Sequence, residues 1–395
     1  MSLPLEGVRV VEYAQYVAGP LCGVLLADLG AEVVKVEPPA GDAYRYVMPV
    51  APGFGRFFLP LNRGKRSVVV DLKAGSGRRT SERLLGTTDV VLHNFPHERA
   101  ERFGLGWDDV HSSHPRVVVG AVSSFGRSGP LAGDPAYDLV AQARSGLLTS
   151  HASRGDRVPV RAGGIPMADL AAGFLLATGV LAALVRARAT GVGELVEVSL
   201  LAAALAVQLQ DLVWLDGEAT AGDAAAADRS RLSARADEIA VGVAMNPYYR
   251  CFEAADGFLA VACLNLVQRE AFLRLFGLED ATVVAPDLVP DDPGLLAGKE
   301  AVTLAIERAI AAEPVDVWVE RLRRTGVPCG VVRMREDVAG DPQIVAERLV
   351  DEVDQPGIGA VRLLSPFVRV SGGMPAPRPA PELGADTDAV LGELA

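Results

Sequence analysis

The sequence predicts an α/β fold in which a parallel sheet carries helices on both faces and a smaller α+β unit follows it. Three observations predict this. Apolar, β-branched runs at 8–11 and 31–36 flank a helical stretch through Leu29, the strand–helix–strand spacing of a βαβ unit. The alternation recurs, with strands expected over 67–71, 89–92 and 116–120 and helices over 76–86 and 98–103. A stretch over 216–237 that is alanine-rich, small and charged, a linker or an exposed helix, then separates this block from a second one.

Each element has its own signal. After the first strand the turn reads Val17-Ala18-Gly19-Pro20, with no GxGxxG, so a standard nicotinamide site is disfavoured. Residues 170–185 form an uncharged run of sixteen, short of the roughly 18–20 needed to cross a bilayer and closed by Arg186 and Arg188; a buried core helix is expected. A turn and strand follow over 191–199, then an apolar helix to about Trp214. The second block offers strands at 249–252 and 258–263 about the turn Ala255-Asp256-Gly257, and helices near 266–276 and 299–324. The proline-rich tail reads as an extended strap with one final helix.

At 395 residues and ~150 per domain, two or three domains are expected, and 50% hydrophobic with 22% charged residues excludes a disordered or fibrous chain. A net charge of −12 repels phosphate backbones and anionic lipid, so no nucleic-acid or membrane partner is expected, while a local basic pocket for one small anion stays open. Cys22, Cys251, Cys263 and Cys329 lie far apart with no CxxC, which fits neither a disulfide framework nor a thiolate zinc site and points to a reducing cytoplasm. The N-terminus carries Glu6 and no basic region before its apolar run, so it reads as a strand and not a signal peptide. Pro96 separates His93 from His97, which suggests solvated or capping roles for both, and no zinc spacing, GxSxG elbow or Walker lysine loop occurs. No metal site is expected.

Two constellations carry chemistry. In Gly163-Gly-Ile-Pro-Met-Ala-Asp-Leu170, Pro166 opens a helix and Asp169 falls in its first turn, where the helix dipole favours an ionised carboxylate. That is a mounting for a nucleophile, or an ordinary first-turn acid. The second is basic: Asn62-Arg-Gly-Lys-Arg66, then Lys73, Asn94-Phe95 and Arg102-Phe103, with Lys73 and Asn94-Phe95 just past strand C-terminal ends. Lys73, Arg102 and the basics of 63–66 could hold pyrophosphate or ribose oxygens with Phe95 or Phe103 against an adenine, or be solvated loop basics and core aromatics.

These residues carry a resemblance. From Leu5-Glu-Gly-Val-Arg-Val through VAGP, LADLGAEVVKVEPPAGDAYR, NRGKRSVVVDLK, VLHNFPHERAERFGLG, YDLVAQARSG, GIPMADLAAG and TGVGELVEVSL to GVPCG, the chain resembles the class III CoA-transferase family, the CaiB/BaiF type. That family includes formyl-CoA transferase, carnitine CoA-transferase and the α-methylacyl-CoA racemases. The resemblance implies a modified Rossmann-like large domain, a small α+β domain and an interlocked homodimer. It implies that Asp169 is the catalytic nucleophile and that Val17, Ala18, Val70, Asp71, Leu72, Lys73, Asn94, Phe95, Arg102 and Tyr137 contact coenzyme A. CoA enters as a substrate with a small carboxylic acid, and no cofactor is bound permanently.

Racemases of this fold need a histidine opposite their aspartate, since deprotonation on one face and reprotonation on the other takes two groups. Tyr137 stands at that place, which favours the transferase over a racemase-like isomerase; a CoA-binding paralogue without turnover is a further alternative, whose feature is the missing glycine-rich loop. Val17 replaces a glutamine of formyl-CoA transferase and Pro38 an arginine, and its glycine-rich loop has no counterpart in Ala240-Val-Gly-Val-Ala-Met-Asn-Pro247. The acyl pocket is therefore expected to be open, or lined by Val241, Val243 and Met245 and suited to an apolar acid. The domains are expected at 1–215, a linker at 216–240, the small domain at 241–330, and 331–395 returning to the large domain.

Overall fold

The computed structural model describes residues 3–215, 228–287, 292–371, 373 and 375–394, and for 242–245 the backbone only. Six parallel strands form the main sheet. Strand β1 (Arg9–Glu12) pairs on one side with β2 (Glu32–Glu37), which pairs with β3 (Arg66–Val69). On its other side lie β4 (Val90–His93), β5 (Val118–Ser123) and β6 (Leu195–Ser199). The order β3-β2-β1-β4-β5-β6 is doubly wound, and it reverses between β1 and β4, where open α/β sheets bind ligands.

Alternation along the strands builds two core layers. Val10, Val33, Val90, Leu92 and Val118 face one side, with Leu21 and Leu25 of α1 (Ala18–Asp28). Val11, Val34, Val91 and Val119 face the other, with Leu84 and Leu85 of α2 (Gly75–Leu85) and Ala100 of α3 (His97–Arg102). Helix α4 (Asp138–Arg144) precedes α5 (Met167–Thr190), whose 24 residues exceed the uncharged run read from the sequence. By length and composition alone α5 is long enough to cross a membrane. In the fold, Ala168, Ala172, Leu176, Val180 and Leu184 join the first core layer, which makes it a core helix on that face. The C-terminal segment covers the exposed edge of the sheet: the amides of Ser67 and Val69 on β3 donate to Asp386 Oδ2 (2.8 Å) and Thr387 Oγ1 (3.1 Å).

The chain divides into two compact units, Met1–Leu148 with Arg161–Thr220 and Pro342–Ala395, and Thr149–Val160 with Ala221–Asp341. The second unit reaches beyond the expected 241–330 at both ends. At its start, α6 (Arg229–Met245) packs Leu232 and Ala236 on Ala152, so part of the expected linker is helix; residues 216–227 lie outside the described residues. Its three-stranded antiparallel sheet comprises β7 (Tyr249–Ala254), β8 (Gly257–Ala262) and β9 (Cys329–Val331). Val331 of β9 still pairs with Leu259, and Val332 N donates to Phe258 O (2.9 Å), so the sheet holds the chain past 330, and the unit runs to Asp341.

Helices α7 (Leu266–Phe276), α8 (Pro293–Ala311) and α9 (Val315–Arg324) close the core of this sheet around Phe272, Ile306, Ile310, Trp318 and Leu322. The single helix expected over 299–324 is two. Pro314 caps α9 with φ −59° and ψ 150°, and a proline there denies α8 its next backbone hydrogen bond.

Candidate active site

The site grows from the loops that leave β1 and β4 at the reversal point. Asn94 uses its side-chain amide on the neighbouring loop, donating to Gln15 O (2.8 Å) and accepting from Gln15 N (3.1 Å). Lys35 Nζ, fully buried, donates to Ala14 O at 2.8 Å from the other side. Directly after these two fastened residues Tyr16 adopts φ +70°, a left-handed conformation that costs a bulky residue on the order of 1–3 kcal/mol and marks a constrained position.

Two cavities open onto this loop, of about 410 and 950 Å³, and both are lined by Gln15, Phe95 and Arg99. The larger also gathers Val70, Asp71, Leu72, Lys73, Arg102 and Phe103. The smaller gathers Val17, Ala18, Asn94, Tyr137 and Asp169. Asp169 and the ten residues expected to contact coenzyme A thus line one cavity or the other. Asp71 accepts from Lys73 N (3.0 Å) and thereby shapes the turn that presents the lysine.

The loop 62–66 does not belong there. Arg63 forks onto Asp28, Arg66 pairs with Glu32 and Glu393, and Lys65 Nζ lies buried against Glu12, Asn62 and Pro20 O. Its cations neutralise carboxylates of the same unit, so none is left for a ligand. Their place is taken by Arg78 and Arg99, which line the larger cavity with Lys73 and Arg102. Arg99 was legible as the i−3 neighbour of Arg102 on a helix; Arg78 had no sequence signal beyond its charge.

Asp169 stands at the third position of α5, half-buried, after Pro166 at the cap. The charge that satisfies this helix terminus is not its own. Asp138, at the start of α4 and buried, accepts from Ala168 N (2.9 Å) and Asp169 N (3.3 Å), while Gln142 Nε2 (2.8 Å) and Arg161 Nη1 (3.3 Å) hold its other oxygen. The expectation of a carboxylate kept ionised by the helix dipole is therefore reversed. Desolvation first, and the Asp138 charge second, push the Asp169 carboxyl up to about 7, with Arg161 opposing. A more basic carboxylate is a stronger nucleophile once deprotonated.

This yields a pH prediction. Reaction through the Asp169 carboxylate should rise with pH through about 7 in the free enzyme, since the deprotonated form is the reactive one. Asp138→Asn keeps an oxygen for the Ala168 amide but removes the charge, so the midpoint of kcat/KM against pH should move to lower pH. An unmoved midpoint would show that Asp138 does not set it.

His93 also departs from the reading. It is buried beneath the smaller cavity with Nδ1 unpartnered among the described residues, and burial holds its pKa down to about 4, so it is neutral rather than solvated. Of the expected acyl-pocket residues, the side chains of Val243 and Met245 lie outside the described residues, and residues 240–245 form the end of α6 instead of a loop; Val241 is exposed on that helix.

A doubly wound sheet with two adjoining cavities at its reversal point, the smaller reaching a helix-borne aspartate, defines an α/β protein with a ligand site at the switch point. The family model of CoA-transferase family III matches residues 5–387, and the chain belongs to that family. It is 32% identical over 360 residues, 89% of this chain and 88% of the other, to the Mycobacterium tuberculosis protein named "Probable fatty acyl-CoA transferase". A crystal structure of that protein superposes with a TM-score of 0.77 at 28% identity, covering 98% and 99% of the two chains. Succinate–glutarate CoA-transferase of Agrobacterium fabrum is 31% identical over 410 residues, 99% of this chain and 96% of its own. A CaiB/BaiF family protein from Brucella suis matches at TM-score 0.77 and 26% identity over 100% of both chains.

Proposed function

We propose that the protein moves CoA from an acyl-CoA donor to a carboxylic acid acceptor through covalent intermediates on Asp169. The observation that carries this is the pair of cavities joined at Gln15, Phe95 and Arg99, one basic at Lys73, Arg78 and Arg102, the other reaching Asp169. CoA has that polarity, with phosphates at one end and the thioester at the other. Lys73, Arg78 and Arg102 bind the phosphates, Phe95 and Phe103 the adenine, the Val17–Ala18 turn and Tyr137 the acyl end.

The Asp169 carboxylate attacks the thioester carbonyl; a C–O bond forms, the C–S bond breaks, and CoA thiolate leaves a mixed aspartyl anhydride. The thiolate then attacks the aspartyl carbonyl of the anhydride and releases the donor acid, leaving an aspartyl-CoA thioester. The acceptor carboxylate attacks that thioester and frees the thiolate, which takes the new acyl group from the second anhydride and restores Asp169. Thioester free energy is conserved throughout, so no nucleotide is consumed and no bound cofactor takes part. Relatives named for succinate–glutarate and fatty acyl transfer support this reaction class.

Two chains interlocked as a homodimer complete the proposal. Leu209, Val213 and Trp214, 80%, 62% and 68% exposed in the single chain, are apolar side chains that a second copy would cover. We place the reaction in the cytoplasm, where the four free cysteines stay reduced. The test is trapping: incubation with acyl-CoA and hydroxylamine, then peptide mass analysis, is expected to find hydroxamate on Asp169. An unmodified Asp169 in protein that binds CoA would refute the covalent route.

A further inference from the structure

Beside Asp169 the chain builds a wall of four aromatic rings. Phe57, Tyr44, Tyr16 and Tyr137 follow one another with centroids 5.8, 5.4 and 5.6 Å apart, and Tyr16 meets both neighbours edge to face, at 82° and 72°. Tyr16 and Tyr137 line the cavity that reaches Asp169. Tyr44 lies within the field of Asp169, whose charge is the largest cause after burial of its raised phenol pKa. The series is held at a strained position, since Tyr16 keeps φ +70° where glycine would sit without strain. It is also open-ended: Tyr137 is 64% and Phe57 43% exposed.

The same cavity is poorly furnished for an acceptor with a second carboxylate. Arg127 is tied to Glu197, and Arg161, near Asp169, is tied to Asp138. Arg99 belongs equally to the larger, basic cavity. Among the described residues, no arginine or lysine that lines this cavity is left solely to it, and Tyr16 and Tyr137 supply aromatic surface there beside the neutral His93.

We propose that this wall is the acyl subsite and that it selects aromatic carboxylic acids, whose ring continues the edge-to-face series against Tyr16 and Tyr137. Aromatic pairs in that arrangement gain more than their buried area supplies, which separates an aryl group from an alkyl group of equal size. The inference rests on the CoA-transferase reading above.

Binding and turnover test it separately. Calorimetry should find benzoyl-CoA bound at least about tenfold more tightly than hexanoyl-CoA, and with acetyl-CoA as donor, benzoate and phenylacetate should exceed hexanoate and succinate at least about tenfold in kcat/KM. Tyr16→Gly removes the ring at a backbone suited to glycine, so its Tm should not fall, and the benzoyl to hexanoyl binding ratio should drop to near one. Tyr16→Phe should keep the ratio. Tyr137→Ala, at an exposed position, should lower it independently. Equal binding of the two thioesters, or a ratio that survives in both Tyr16→Gly and Tyr137→Ala, overturns the aromatic subsite. In that event hydroxamate on Asp169 would leave the transferase reading standing, whereas an unmarked Asp169 would remove that reading whatever the binding ratio.

Discussion

Asp169→Ala is expected to lower CoA transfer by about 10³-fold or more while free CoA still binds, because under the proposed mechanism the variant loses the carboxylate on which both covalent intermediates form. No neighbour can substitute. Glu197 in the same cavity is held by Ser123 Oγ (3.1 Å) and Arg127, Asp134 is exposed on a loop, and Asp138 is buried under the α5 amides. Full activity in Asp169→Ala would end the mechanism. The same substitution carries a stability signature. With its pKa raised from 3.8 to about 7, Asp169 binds a proton more readily folded than unfolded, so its ionisation costs stability as pH rises from about 4 to 7. Asp169→Ala should therefore gain Tm relative to the parent at pH 8, and that gain should shrink toward pH 4. A nucleophile held in an unfavourable setting is the familiar conflict between activity and stability.

The fold was legible where local pattern decides it. Val10–Val11, Val33–Val34 and Val90–Val91 are each split between the two core layers, which is the period a parallel strand covered on both faces must show. Asp169 was legible because Pro166 sets the helix start, and its position could be counted from there. The basic loop at 62–66 was misread because a buried cation and a surface cation look alike in sequence; Lys65 finds Glu12 only once the sheet brings residues 53 apart together. Asp138 escaped notice for the same reason. Its role lies in capping a helix thirty residues onward, and nothing in YDLVAQ announces that contact. Tyr16 was hidden by its backbone, since no propensity predicts a left-handed tyrosine where two outside hydrogen bonds fix the loop.

Lys65→Met is expected to destabilise the protein by about 3–5 kcal/mol, the usual cost of breaking a buried ion pair from one side. Glu12, Lys35 and Lys65 have no exposed side-chain surface. Lys65 Nζ donates to Glu12 Oε1 (2.9 Å) and Oε2 (2.8 Å) and to Pro20 O (2.9 Å), so methionine leaves Glu12 with the longer Lys35 contact (3.2 Å) as its remaining ion pair and strands the Pro20 carbonyl. The surroundings cannot close over the loss. A Cβ on Gly23 would stand 1.9 Å from Glu12 Oε2, which shows how tightly α1 lies against the carboxylate. Glu12→Gln should ease the defect, and the double variant should unfold at higher denaturant than Lys65→Met alone, with a coupling of about 1–3 kcal/mol. Equal midpoints would show that the two charges are not coupled. The consequence reaches the ligand, because Lys35 bridges Glu12 and Asp42 while holding Ala14 O, the first residue of the loop that shapes both cavities. If that loop is fixed from beneath by the ionic cluster, CoA affinity in Lys65→Met should fall under conditions where the variant is still fully folded. Unchanged affinity there would confine Lys65 to stability and show that the Lys35 and Asn94 bonds hold the loop without it.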